Sequence, residues 1–290
     1  MFFITPLPVL YYLRTSAGEK GTRIIIRSSV ISGLLAMIMG ALPVLLFSFT
    51  LVPIGFILAA SLRKEESHWA AGLKALVFVA ATWFMAGMLV SSTQHINIYS
   101  SILQEIDQNL VAALEAYKTS AKIPTATLEE VGNAFTELRR LVPRIFPGVI
   151  LMTIISTVWL NMVFGDWLLK RTGKAYSNWQ DFRTWKLPEQ MVWGVITAGV
   201  FLFISSSLFN TIGLNLLMIL GLLYFFQGLA VVTFLLARWS VPRTVKFFLF
   251  MLLIVQAYGM ILLAILGLAD VWLNFRKPRP DDGRTGDTTQ

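Results

Sequence analysis

With 290 residues, 56% of them hydrophobic and only 14% charged, the chain is more apolar than a water-soluble globule, whose apolar share is about 45–50%. Its net charge of +8 would suit nucleic acid, but the basic residues sit in short clusters at the ends of apolar runs. That is the pattern of cytoplasmic anchors in membrane proteins, and nucleic acid is set aside as a partner. The absence of cysteine removes disulfides, thiolate metal sites and thiol chemistry.

Residues 1–13 are apolar but too short to span a bilayer, which takes about 20 residues. They read either as an interfacial foot or as the tail of a longer helix. They do not read as a cleavable signal peptide, because no basic stretch opens them and Pro6 and Pro8 interrupt them. Arg14, Lys20, Arg23 and Arg27 outweigh Glu19 and place the following segment in the cytoplasm. No charge appears over residues 28–62, which is too long for one straight span and suits a tight pair turning near Gly40 and Pro43. Within the first member Ser32, Ala36 and Gly40 recur every four residues, a small-residue stripe on which another helix can approach closely. The stripe serves either packing within the chain or docking of a separate membrane subunit.

Arg63 and Lys64 return the chain to the cytoplasmic side, and residues 69–92 cross again. Residues 93–146 are rich in both signs of charge. Ile102, Ile106, Leu110, Ala113 and Tyr117 fall on one helical face after a Ser101-x-x-Gln104 capping pattern. Leu128, Val131, Phe135, Leu138, Val142 and Ile145 do the same after a Thr127-x-x-Glu130 capping box, with Pro124 between the two helices. The segment is expected to form an amphipathic hairpin on the outer side, either a packed cap or a lid over a cavity. Residues 146–169 make the next span, ending on Lys170 and Arg171. The basic, aromatic loop to residue 187, with Lys174, Trp179, Arg183, Trp185 and Lys186, is expected at the membrane interface. The uncharged stretch between Glu189 and Arg238 makes two spans divided near residues 205–213, and residues 246–275 make the last apolar run.

The expected fold is therefore all-α, a polytopic transmembrane helix bundle of about seven spans. It forms one membrane domain over residues 1–290, with the 93–146 hairpin as an extramembrane insert and a disordered tail at 277–290. Seven spans from a cytoplasmic start would put the C-terminus outside, whereas Arg276, Lys277, Arg279 and Arg284 favour the cytoplasm. Either the last run breaks near Gln256 and Gly259, or residues 1–13 also belong to the membrane.

Chemistry is sparse. The signatures HExxH, G-x-S-x-G, G-x-x-x-x-G-K-[ST] and G-x-G-x-x-G are absent. His68 and His95 lie about 40 Å apart on a continuous helix, so they cannot share a metal. Asp166 and Asp270 sit near helix ends, where water is expected to reach them. No catalytic residue, metal site or cofactor is assigned. What remains is a set of deep amides, Asn161, Asn215, Gln227 and Gln256, which either bind helices together or line a polar cavity.

The stretches PLPVLYYL, FPGVILMTIISTVWLNMVFGDWLLKRTG, WKLPEQMVWG, NLLMILGLLYFFQGLAVVTFLLARWSVPR and GLADVWLNFRK resemble the YybS-like family of bacterial membrane proteins, a domain of unknown function. The resemblance covers nearly the whole chain, and residues 227–231 and 267–276 are its most specific parts. It implies a multi-pass protein of the bacterial inner membrane. Family members carry a full hydrophobic helix before the Pro-Leu-Pro segment, so this copy reads as started late. A more distant similarity is to the substrate-binding S components of energy-coupling factor transporters. It implies a solute site near the outer face and a partner subunit docked on an early small-residue helix. The function expected is a small-solute-binding or transport-associated subunit; the alternative is a non-catalytic scaffold of the cell envelope.

Overall fold

A computed structural model describes residues 2–16, 19–120, 125–173 and 179–276; the 277–290 tail lies outside them. The described residues form eleven α-helices and two short 3-10 turns, with no strand among them. Five helical stretches, Leu42–Arg63 counted as one, are long and apolar enough to cross a bilayer, six if one bent pair counts as a single span. The chain gathers into two compact units, Met1–Trp179 and Gln180–Gln290.

The first unit opens with a 3-10 turn, Phe2–Ile4, and then α1, Pro6–Thr15. Proline at the start of a helix forgoes only a donor that had no intrahelical partner, which lets α1 begin at Pro6. One side of helix α1 packs into the protein: Val9, Leu10 and Leu13 are buried. Gly165 makes room for Leu10, whose Cδ2 would lie 2.2 Å from any Cβ there. Helix α2, Glu19–Ile38, leads to α3, Leu42–Phe49, and α4, Val52–Arg63. The turn falls where Gly40 and Pro43 predict it. Gly40 takes φ +66°, and the amides of Gly40 and Ala41 close back on the carbonyls of Met37 and Ala36, a Schellman ending that favours glycine.

Helix α5, His68–Gln94, is uninterrupted and capped by the Ser67 hydroxyl. Helix α6, Ile98–Ser120, begins three residues before the expected Ser101 cap. Asn97 caps it instead, its Oδ1 accepting from the amide of Ser100 at 3.1 Å. The side chain of Thr127 lies outside the described ones, so its capping box is not placed.

The largest departure from expectation is α7, Thr125–Thr172, a single helix of 48 residues that contains both Pro143 and Pro147. The second arm of the hairpin and the following span are one continuous rod, about 72 Å long at 1.5 Å per residue. Pro147 has no N–H to give the carbonyl of Pro143. The phenol of Tyr99 supplies that donor at 3.0 Å, so the helix runs on where a free carbonyl would have favoured a break. The arms are joined by Asp107 and Arg139, paired at 2.5 and 2.8 Å. Arg139 holds the Asp107 carboxyl below its ordinary value, chiefly by hydrogen bonding, and the carboxylate raises Arg139 in return. On α6 the half-buried positions include Ile106, Leu110 and Leu114, while Ile102, Ala113 and Tyr117 are exposed.

The second unit holds the 3-10 turn Phe182–Thr184, then α8, Met191–Phe203, and α9, Ser207–Arg238. The expected turn at 205–213 shrinks to three residues, and Asn210, Thr211 and Gly213 are helical. The extra length goes to α9, leaving α8 with 13 residues, fewer than the roughly 20 a span takes. This is one reason the count falls below seven. The last run does break: α10, Arg243–Val255, and α11, Ala257–Leu273, meet at Gln256 with a bend of 104°.

Candidate functional site

The four amides sit in separate settings. Asn161, on α7, is 1% exposed. Its Nδ2 donates to the carbonyl of Phe3 at 2.6 Å and to that of Thr157, one turn earlier, at 2.7 Å. It therefore ties the first residues of the chain to α7. Its Oδ1 is buried and meets no donor among the described residues.

Gln227 is fully buried in the middle of α9, and its amide is used on both ends. Its Oε1 accepts from the amide of Leu187 at 3.0 Å, and its Nε2 donates to Asp270 at 3.1 Å. Asp270, expected to be within reach of water, is fully buried as well. It is the hub of a polar knot. Its Oδ1 accepts from the amide of Phe275 at 3.1 Å, and its Oδ2 pairs with Arg276 at 2.5 Å. The geometry follows from local sequence: Asn274 adopts a left-handed conformation, φ 44°, which asparagine tolerates at a helix end. That turn reverses the chain and returns Phe275 and Arg276 to Asp270. Arg276 also donates to the carbonyls of Arg183 and Trp185, at 3.0 and 2.8 Å. Three of the stretches that carry the family resemblance, around Leu187, Gln227 and Asp270, thus meet at one point.

The backbones of α9 and α11 approach closely beside that knot. A Cβ on Gly228 would lie 1.9 Å from the Leu263 carbonyl oxygen, and one on Gly267 would lie 2.0 Å from that of Tyr224. Small residues at a crossing are how membrane helices gain contact when lipid is as apolar as their side chains. Sequence spacing does not reveal the pair Gly228–Gly267, because its members lie on different helices.

Asn215 is half-buried on α9, and its Nδ2 returns to the carbonyl of Thr211 at 2.7 Å, on its own helix. Gln256 is exposed at the α10–α11 bend, where its backbone carbonyl accepts from Gly259 at 2.9 Å. Gln227 and Gln256 therefore share no polar cavity. The α2 stripe is likewise divided: Ala36 is buried, Ser32 and Gly40 are exposed, and Gly40 serves the turn. The loop after α7 is less superficial than expected. Trp179 is 4% exposed, its indole donates to the Glu66 carbonyl at 3.2 Å, and its ring lies 5.3 Å from that of His68. Beside it, hydrogen bonding from Lys74, at 2.5 Å, holds the Glu66 carboxyl below its ordinary value. Lys174 lies outside the described residues. Among the described residues no three of His, Cys, Asp and Glu gather as metal ligands.

A concave site exists elsewhere, in the first unit, where the end of α5, the start of α6 and the middle of α7 border an open groove of about 860 Å³. Trp83, Phe84, Gly87 and Met88 form the α5 wall, and Phe146, Pro147 and Ile150 the facing α7 wall. The two aromatic sides are held from behind. The indole N–H of Trp83 donates to the hydroxyl of Thr50 at 2.9 Å and its ring packs on Phe47, while Tyr99 lies edge-on to Phe146 and is bonded to Pro143. No charged residue lines the space. The sequence carried one usable signal for it, the Pro143/Pro147 pair four residues apart in a helical pattern. That spacing frees a carbonyl, and Tyr99, far away in sequence, answers it.

Known proteins similar to the chain point to a membrane protein and to no activity. The chain is 25% identical over 288 residues, 95% of its length and 88% of the relative's, to the uncharacterized protein YybS of Bacillus subtilis (strain 168). No solved structure matches it. The family model described as "Predicted membrane protein (DUF2232)" matches residues 1–271, and the chain belongs to that family of membrane proteins.

Proposed function

We propose that this protein is a non-catalytic, solute-binding subunit of the bacterial plasma membrane, associated with transport. The observation that carries the reading is the cavity between α5, α6 and α7. Its volume of about 860 Å³ lies in the range of about 300–1,000 Å³ typical of small-molecule sites, which are mostly apolar with a few polar groups. The solute site is thereby moved away from the deep amides. Asn161 and Gln227 act as ties between segments, and the cavity walls are the aromatic and aliphatic residues of the first unit. The exposed apolar face of α2, with Ile31, Leu35 and Ile38 uncovered for a membrane neighbour, supports the same reading. The basic clusters at 14–27 and 238–246 suit a cytoplasmic face.

The test is mass spectrometry of small molecules that co-purify with the intact protein in mild detergent. Gly87→Leu is the control variant, since nothing lies within 4 Å of a Cβ at Gly87. The parent is expected to carry a defined compound that the folded variant lacks. Equal recovery from both, or from neither, refutes the reading. A scaffold role is the second reading, favoured by the buried knot of Gln227, Asp270 and Arg276, which consumes polar groups otherwise available to a solute. It predicts that Gly87→Leu leaves every cellular phenotype unchanged.

A further inference from the structure

Resting on the solute-binding reading, we infer that the α5–α6–α7 cavity takes an uncharged amphiphile, one long apolar chain ending in an ester or hydroxyl head, that enters from the bilayer. Polarity is ordered along the site. Ala80, Trp83 and Ile154 line its deep end, where Ile154 is 1% exposed. Ser91, Ser92 and Asn97 line the other end, beside the loop between α5 and α6. From Ala80 to Ser92 the α5 wall runs about 18 Å at 1.5 Å per residue, long enough for an extended chain rather than a compact ring. Exposed apolar walls at Phe84 and Met88 make the side of the cavity compatible with lipid, so a chain slides in without leaving an apolar medium.

The head is specified by what the polar end offers. Asn97 spends its Oδ1 on capping α6 and is exposed at the mouth of the site. That leaves an amide donor suited to a carbonyl or hydroxyl oxygen. The hydroxyl of Ser92 is committed to the Leu89 carbonyl at 2.9 Å, and that of Tyr99 to Pro143, so each oxygen has only acceptor capacity left to offer. With no Lys, Arg, Asp or Glu among the described residues of the lining, a charged head would find no counter-charge in the site, and a neutral head needs none. Trp83 and Tyr99, each anchored by a second contact, keep the slot open before the ligand arrives, which lowers the ordering cost of binding.

The experiment uses the full chain in lipid nanodiscs and reads the fluorescence of Trp83, isolated as the difference between the parent and a Trp83→Phe variant. Three probes are compared: a monoacylglycerol brominated near its chain end, the fatty acid with the same chain, and a brominated alkane of equal length. The monoacylglycerol is expected to quench Trp83 saturably and at the lowest concentration. Asn97→Leu should weaken it by about threefold to tenfold, the value of one neutral hydrogen bond, while leaving the alkane unchanged. Gly87→Leu should abolish quenching by every probe, with thermal unfolding showing that the variant is folded. Saturable quenching that is equal for alkane and monoacylglycerol, or best for the fatty acid, overturns the assigned head group but leaves a solute cavity standing. No saturable quenching by any probe, together with no co-purifying molecule, removes the solute-binding reading itself.

Discussion

Asp270→Ala removes the hub of the buried knot, and its cost can be worked from the contacts it deletes. The carboxylate is fully buried, Arg276 beside it is 9% exposed, and Gln227 Nε2 and the Phe275 amide lose their acceptor in the same step. Breaking one side of a buried ion pair costs about 3–5 kcal/mol, because the remaining charge is left uncompensated. The lower part of that range applies here, since Arg276 keeps the carbonyls of Arg183 and Trp185. At about 1.4 kcal/mol per factor of ten, unfolding should be favoured by two to three powers of ten. Equilibrium unfolding of the purified protein in mixed micelles of mild detergent and dodecyl sulfate measures it. The double variant Asp270→Leu with Arg276→Met removes both charges and fills the space, so it should be more stable than Asp270→Ala alone. Gln227→Leu should cost less, about 1–3 kcal/mol, for an acceptor lost to Leu187 and a donor lost to Asp270. A loss below about 1 kcal/mol for Asp270→Ala, or a double variant no better than the single, would show that the knot is not what holds α9, α11 and the 182–187 segment together.

Two further outcomes are expected from the same structure. Gly228→Ala should destabilise the protein by about 1–3 kcal/mol, since its Cβ would enter the Leu263 carbonyl of α11 and backbone must move. Gly221→Ala, on the same helix with nothing within 4 Å, should be neutral or slightly stabilising; similar unfolding curves for the two would refute the crossing. The Asp107–Arg139 tie is acid-sensitive in a defined direction. A carboxylate held below its ordinary value contributes fully above that value, near pH 4, and the contribution is lost as pH falls through the lowered one. Spin labels on α6 and on residues 130–140 should therefore separate or broaden in distance only in acid below pH 4. Asp107→Asn should show the loosened distribution at every pH, and a parent insensitive to acid would remove the tie.

Local chemistry alone settles much of this protein. A 56% apolar chain with clustered cations has to be a helical membrane protein, because a backbone in lipid must satisfy its own hydrogen bonds and a helix does so within one segment. The turn at Gly40 and the helical character of both hairpin arms are legible for the same reason, since each depends on residues within a turn or two, whereas the sequence leaves the break at Gln256 as one of two alternatives. Pro143 and Pro147 read locally as a boundary, yet the phenol of Tyr99, 44 residues upstream of Pro143, satisfies the freed carbonyl and the helix continues. Asp270 read locally as a water-facing end; the left-handed Asn274 and the returning Arg276 bury it instead. Deep amides stand out in an apolar run as groups that need partners, but whether a given amide meets a solute or another segment depends on which helix lies opposite. Beyond the Pro143/Pro147 spacing the cavity has no sequence signature, since its other walls are ordinary residues drawn from three helices. Only the tertiary structure brings Trp83, Asn97 and Phe146 around one space, because that neighbourhood is decided by how helices pack and not by the residues beside them in the chain.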